Sequence, residues 1–116
     1  MGDALLNFLG IARRAGKLIV GLDPVCESIN KGKAVLIITA KDISKNTYKS
    51  VVRDADSNNV PLIILNRTKD EISFALGKLV AVASIEDTGF AKKIIELNDK
   101  ETVKTAPIKD ERNDSI

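Results

Sequence analysis

The 116-residue chain has no histidine, no tryptophan, one cysteine and three prolines, and aromatic residues make up only 3% of it. Each scarcity removes a class of chemistry. Without histidine no Ser-His or Cys-His nucleophile pair can form, and with one cysteine the common Cys/His zinc sets cannot be assembled. The lone thiol, Cys26, excludes a disulfide within these residues and fits a reducing compartment. No apolar run approaches the roughly 20 residues a membrane helix needs. The opening MGDALLNF carries Asp3 and no basic stretch, unlike a secretory leader, and Leu6 stands where a myristoylation signal on Gly2 wants Ser or Thr. These absences point to a cytoplasmic protein in which catalysis is not forbidden but unsupported, and in which no metal, cofactor or membrane partner is indicated.

What is present is aliphatic. Hydrophobic residues make up 44% of the chain, mostly Ile, Leu, Val and Ala, enough for one core in one domain. The net charge of +2 is unevenly spread: nine Lys/Arg face four acids through Arg53, whereas nine face twelve in the remainder. The basic half is compatible with a polyanionic partner, although scattered lysines commonly serve only solubility.

The pattern alternates helices and strands. Asp3 is expected to cap a helix carrying Leu5, Leu6, Leu9 and Ala12 and ending at Arg13-Arg14-Ala15 before Gly16. A strand over 17–20 follows, then a helix capped by Asp23 with Pro24 at its first position and Gly32 at its end. The unbroken apolar run 35–39 predicts a central strand. Ser44 opens a helix to about Ser57, and 61–65 form a strand. Thr68 and Glu71 make a capping box for a helix ending near Gly77. A strand over 79–85 and a helix capped by Asp87 complete a domain of residues 1–97. Such alternation predicts a three-layer α/β/α sandwich with a mixed or parallel sheet. From residue 98 onward the sequence is polar and aperiodic, and reads as a flexible tail dispensable for folding.

Several motifs fail on inspection. GIARRAGK, residues 10–17, has five residues between its glycines and Leu18 in place of the hydroxyl a phosphate loop requires. No Gly-x-Gly-x-x-Gly occurs. Cys26 shares a helical face with Val25 and Ile29 and reads as a buried structural thiol, while Asp54 and Asp56 read as solvated charge.

Taken in order, LGIARRAGKLIVG, INKGKAVLIITAKD, NNVPLIIL, the Leu76-Gly77 pair and DTGFAKKI resemble the L-seven-Ae/L-thirty-e superfamily of ribosomal and kink-turn RNA-binding proteins, with the look of its bacterial YlxQ-like members. The resemblance runs from about Leu5 to Leu97. It implies an L-thirty-e-like sandwich with a mixed sheet, working as a monomer that binds structured RNA such as ribosomal RNA or a kink-turn, with possible association with the ribosome. In that family the second helix begins Gly-x-Asn-Glu-x-x-Lys and enters kinked RNA at sheared G·A pairs. The matching positions here are Gly21, Asp23, Pro24 and Glu27, so the glycine is kept and the polar readers are replaced. The basic positions that follow match as Lys31 and Lys33. A second family contact, a loop that grips an extruded nucleotide with apolar atoms, corresponds to Gly77, Lys78, Leu79 and Val80. An ionised Asp only accepts hydrogen bonds and cannot donate to guanine O6, and Glu in place of Lys reverses a charge. The substitutions therefore predict weak affinity for a standard kink-turn. They leave a second possibility, a protein-interaction adaptor on the same fold whose RNA site has decayed.

Overall fold

The computed structural model describes residues 3–109. In chain order the elements are α1 (Ala4–Arg14), β1 (Leu18–Val20), α2 (Leu22–Asn30), β2 (Leu36–Thr39), α3 (Lys45–Ser57), β3 (Leu62–Ile64), α4 (Lys69–Leu76), β4 (Val82–Ile85) and α5 (Thr88–Lys109). The strands lie in the order β1-β4-β2-β3. The β1–β4 and β4–β2 pairs are antiparallel and β2–β3 is parallel, so the sheet is mixed.

The apolar runs at the centre explain the layers. All four residues of β2 and of β4 are buried, because helices cover both faces of the sheet. Alternation sends Leu36, Ile38, Ala83 and Ile85 to one side, where they meet Leu5, Leu9 and Ala12 of α1, Ile72 and Leu76 of α4, and Ala91 and Ile94 of α5. Ile37 and Val82 point the other way, against Val25 and Ile29 of α2 and Val51 and Ala55 of α3. The α/β/α sandwich is thus α1/α4/α5, sheet, α2/α3. Leu5, Leu9, Ile29 and Val51 are fully buried, and truncating such a leucine to alanine typically costs about 2–5 kcal/mol.

Local signals behave as the sequence predicts at most helix ends. Asp3 Oδ1 accepts from the Leu6 amide at 3.0 Å, and Ser44 accepts from that of Thr47. Thr68 and Glu71 form a reciprocal capping box, and Gly77 closes α4 in the left-handed region at φ 72°. Three expectations need correction. The start of α2 is capped by Gly21 rather than Asp23. The last strand begins at Val82 rather than residue 79, since the chain must first turn out of the left-handed Gly77. Finally, the last helix, expected to end near Leu97, continues as α5 to Lys109, and Glu101 on it pairs with Arg67; residues 110–116 of the expected tail lie outside the described residues. Among the described residues no helix is long and apolar enough to cross a membrane.

Candidate nucleic-acid interface

The start of α2 is built by backbone geometry. β1 ends at Val20 beside Ala83 of β4. Gly21 then takes φ 99° and ψ 149°, a conformation L side chains rarely adopt. Its N–H donates to the Val82 carbonyl at 3.2 Å, and its carbonyl accepts from the Val25 amide at 3.0 Å. With Gly21 as cap, Leu22, Asp23 and Pro24 fill the first three helical positions. Pro24 still costs nothing, because an amide at the third position has no partner within the helix. Asp23 makes no side-chain cap bond. It stands exposed in the first turn, where its charge complements the helix dipole.

The loop between α4 and β4 reaches the same end of the sheet. The Ala40 amide at the end of β2 donates to Ala81 O at 2.9 Å, one residue before the Val82 carbonyl that holds Gly21. Within the loop the side chains divide. Lys78 is exposed and Leu79 is 78% exposed, whereas Val80 is buried in the core and its N–H donates to Ser73 Oγ at 2.9 Å. Of the apolar residues expected to face a ligand from this loop, Leu79 is on the surface and Val80 is not.

Lys41, which no sequence motif singles out, joins this end. Its amide donates to Arg67 O at 2.8 Å, and its ammonium donates to Asn66 Oδ1 at 3.2 Å, so the β2–α3 loop is stitched to the β3–α4 loop. Asp42 adds a bond from the Lys69 amide at 2.8 Å. The Gly21 and Ala40 bonds tie the start of α2 to Val82 and the end of β2 to Ala81, the last residues of the segment that carries Lys78 and Leu79, with Lys41 directly after Ala40.

Glu27, Lys31 and Lys33 lie further along, Lys31 and Lys33 just beyond the far end of this nine-residue helix, about 13 Å from its start. The Glu27 carboxylate accepts from Lys31 Nζ at 2.8 Å on the exposed surface. The Lys31 ammonium holds the Glu27 carboxyl below its ordinary range, and Glu27 raises the Lys31 ammonium in turn. Half of the expected basic pair is therefore neutralised, leaving Lys33. With Pro24 these residues line a shallow depression of about 330 Å³, so the outer surface of α2 is continuous from its start to Lys33. Ser84 Oγ donates to Ser28 Oγ at 3.0 Å, and Ser28 Oγ donates to Glu86 at 2.7 Å, placing a second carboxylate in that depression. Spacing in the sequence carries no signal for this contact, because Ser28 and Glu86 are 58 residues apart.

Cys26 is half-buried rather than fully buried. Burial, reinforced by the neighbouring Asp54 carboxylate, pushes its thiol up to about 11, so the nucleophilic thiolate is scarce at neutral pH.

The layer order and the match of residues 3–95 to the Ribosomal protein L7Ae/L30e/S12e/Gadd45 family place this chain in that family. It is 40% identical over 92 residues to the RNA-binding protein YlxQ of Enterococcus faecium, covering 79% of this chain and 88% of that one. To the RNA-binding protein YlxQ of Bacillus subtilis strain 168 it is 34% identical over 96 residues, covering 78% and 91%. A solved structure of a Bacillus halodurans protein of unknown function superposes with a TM-score of 0.78 at 27% identity, over 84% of this chain and 99% of that one.

Proposed function

We propose that this chain is a non-enzymatic RNA-binding protein, ribosomal or ribosome-associated and acting as a cytoplasmic monomer, that reads structured RNA with the start of α2 and the loop after α4 as one surface. The observation that carries this reading is the junction at Val82: its carbonyl holds Gly21, while the loop leading into it leaves Leu79 78% exposed. The names of the YlxQ relatives and the family's ribosomal members support it. Gly21 lets a nucleic-acid backbone come close, Leu79 covers an extruded base, and Lys41, Lys78 and Lys33 face phosphates. Asp23 requires a donor opposite it, such as an exocyclic amino group, which a guanine O6 is not. The preferred RNA therefore differs from a standard kink-turn at this contact, and the standard form binds weakly.

Titration at fixed salt with a kink-turn and with a control lacking its G·A pairs tests this. Leu79→Ser, at an exposed position that leaves the core untouched, should weaken kink-turn binding by about fivefold, the loss of roughly 1 kcal/mol of partial apolar burial. Saturable binding to neither RNA at low salt would favour the protein-interaction adaptor.

A further inference from the structure

β1 and β3 are the two edges of the sheet. β1 buries Leu18 and Val20. On β3, by contrast, Ile64 is 51% exposed, and Leu62 and Ile63 are half-buried. The parallel register with β2 runs from Ile37 opposite Leu62 to Thr39 opposite Ile64, with the Ile37 amide donating to Pro61 O and the Leu65 amide to Thr39 O, each at 2.9 Å. Pro61, Ile63 and Leu65 therefore turn their backbone groups toward β2. Leu62 and Ile64 turn theirs to the open edge, where among the described residues nothing takes them.

Natural sheets guard such an edge with charge, a bulge or a proline whose missing N–H faces outward. β3 has none of these. No residue from Asn58 to Asn66 is charged, the register with β2 is unbroken, and Pro61 has its missing N–H on the β2 side. Only the three-residue length of the strand limits what it can hold. The two ends of this edge differ in charge. Before β3, Asp56 is exposed in the last turn of α3, and its carbonyl accepts from the Asn59 amide at 3.2 Å. After β3, exposed Lys41 is held by Asn66. An edge that is acidic at one end and basic at the other complements a second copy of itself running in the opposite direction.

We propose that β3 pairs antiparallel with β3 of a second copy of this chain, across a two-fold axis at Ile63, forming a weak dimer with one continuous sheet. Leu62 then stands opposite Ile64 of the second copy, and Ile64 opposite its Leu62. Each pair exchanges both backbone bonds, so every outward N–H and C=O of Leu62 and Ile64 finds a partner. The same pairing covers exposed Ile64 with a leucine on the same face of the sheet. It also brings Lys41 of one copy toward Asp56 of the other. Because β1 lies at the opposite edge, the start of α2 stays open, and only Lys41 is shared with the RNA surface. The RNA-binding monomer is the form at low concentration, and the dimer does not depend on that reading.

Sedimentation equilibrium of the full chain without RNA, from about 10 μM to 1 mM, tests this. Half of the protein should be dimeric at about 0.1–1 mM, the range of a small, transient interface. Ile64→Pro removes an N–H that β2 does not use, and Ile64→Lys adds the missing charge. Each should raise the dissociation constant at least about tenfold, with the thermal midpoint of the dilute protein nearly unchanged. Should Ile64→Pro fail to fold, Ile64→Lys decides alone. Phe74→Ser, which removes a side chain 92% exposed on α4, should leave the dimer intact. Asp56→Lys should weaken it, and Lys41→Asp in the same chain should restore it. A monomer at every concentration overturns the proposal, as does undiminished self-association in Ile64→Lys. A dimer kept by folded Ile64→Pro, or lost in Phe74→Ser, would mean a contact made without strand pairing and equally refute it. Failure of the charge reversal to restore the dimer overturns the antiparallel direction.

Discussion

Asp23 occupies the second position of α2, exposed and without a cap bond, so its side chain is not needed to start the helix. Glu27, one turn on, is held by Lys31 in an exposed pair, which contributes little to stability. Both acids can therefore be changed at small structural cost. Asp23→Asn with Glu27→Lys supplies a donor for guanine O6 and a cation for phosphate, and it also releases Lys31. Affinity for a standard kink-turn should rise about tenfold to a few hundredfold, and by less for a control lacking the G·A pairs. Equal gains on both RNAs would mean that only charge had changed, and no gain would remove this helix start from the interface. The same pairing separates the two lysines. Lys33→Ala should flatten the slope of log affinity against log salt by about one counterion, and Lys31→Ala by less, because Lys31 already has a carboxylate beside it. Equal losses would contradict that neutralisation.

Among the elements, the strongest long-range tie is Arg67, whose side chain is only 12% exposed. Its guanidinium donates to Asp3, the cap of α1, and to Glu101 on α5, joining the β3–α4 loop to two helices. Hydrogen bonds from Arg67 lower the Asp3 carboxyl, and the two carboxylates raise the guanidinium further. A depressed carboxyl stabilises the fold above its ordinary value of 3.8 and loses that contribution as pH falls through its folded value. Arg67→Met should lower stability by about 1–2 kcal/mol at neutral pH, since the carboxylates remain partly solvated, and the difference should shrink on acidification below the ordinary Asp range. A difference independent of pH would mean that Arg67 acts through packing alone. Ending the chain after Leu97 removes Glu101 and should reduce the thermal midpoint by several degrees, and an unchanged midpoint would support a domain boundary at Leu97. The sequence made much of the fold legible where a side chain signals locally, as at Asp3, Ser44 and the Thr68–Glu71 box. It misplaced the start of α2 because Gly21 caps through its backbone and leaves no side-chain mark. The apolar Leu79-Val80 pair reads like strand, yet only Val80 is buried. The Arg67–Asp3 bond, 64 residues apart, has no periodic signature.

The whole molecule sets its proposed RNA contact at the end of the sheet where β1 stops and β4 starts. The mixed sheet sets the end of β1 beside the start of β4, so that α2 and the loop after α4 meet although 56 residues separate Gly21 from Gly77 in the chain. The order of segments showed which residues to compare. Only the register of β1 against β4 brings them to one place, and only burial separates Leu79 from Val80. The formal net charge of +2 is too small to hold RNA by itself, so binding must depend on where the cations stand. The most direct measurement of the central claim is amide-resonance mapping by NMR as a kink-turn RNA is added at low salt. The account predicts that the amides of residues 21–23 and 77–81 shift together along one binding curve, with Lys41 among them. Shifts in only one of these segments, or confined to the outer faces of α3 and α5, would contradict it.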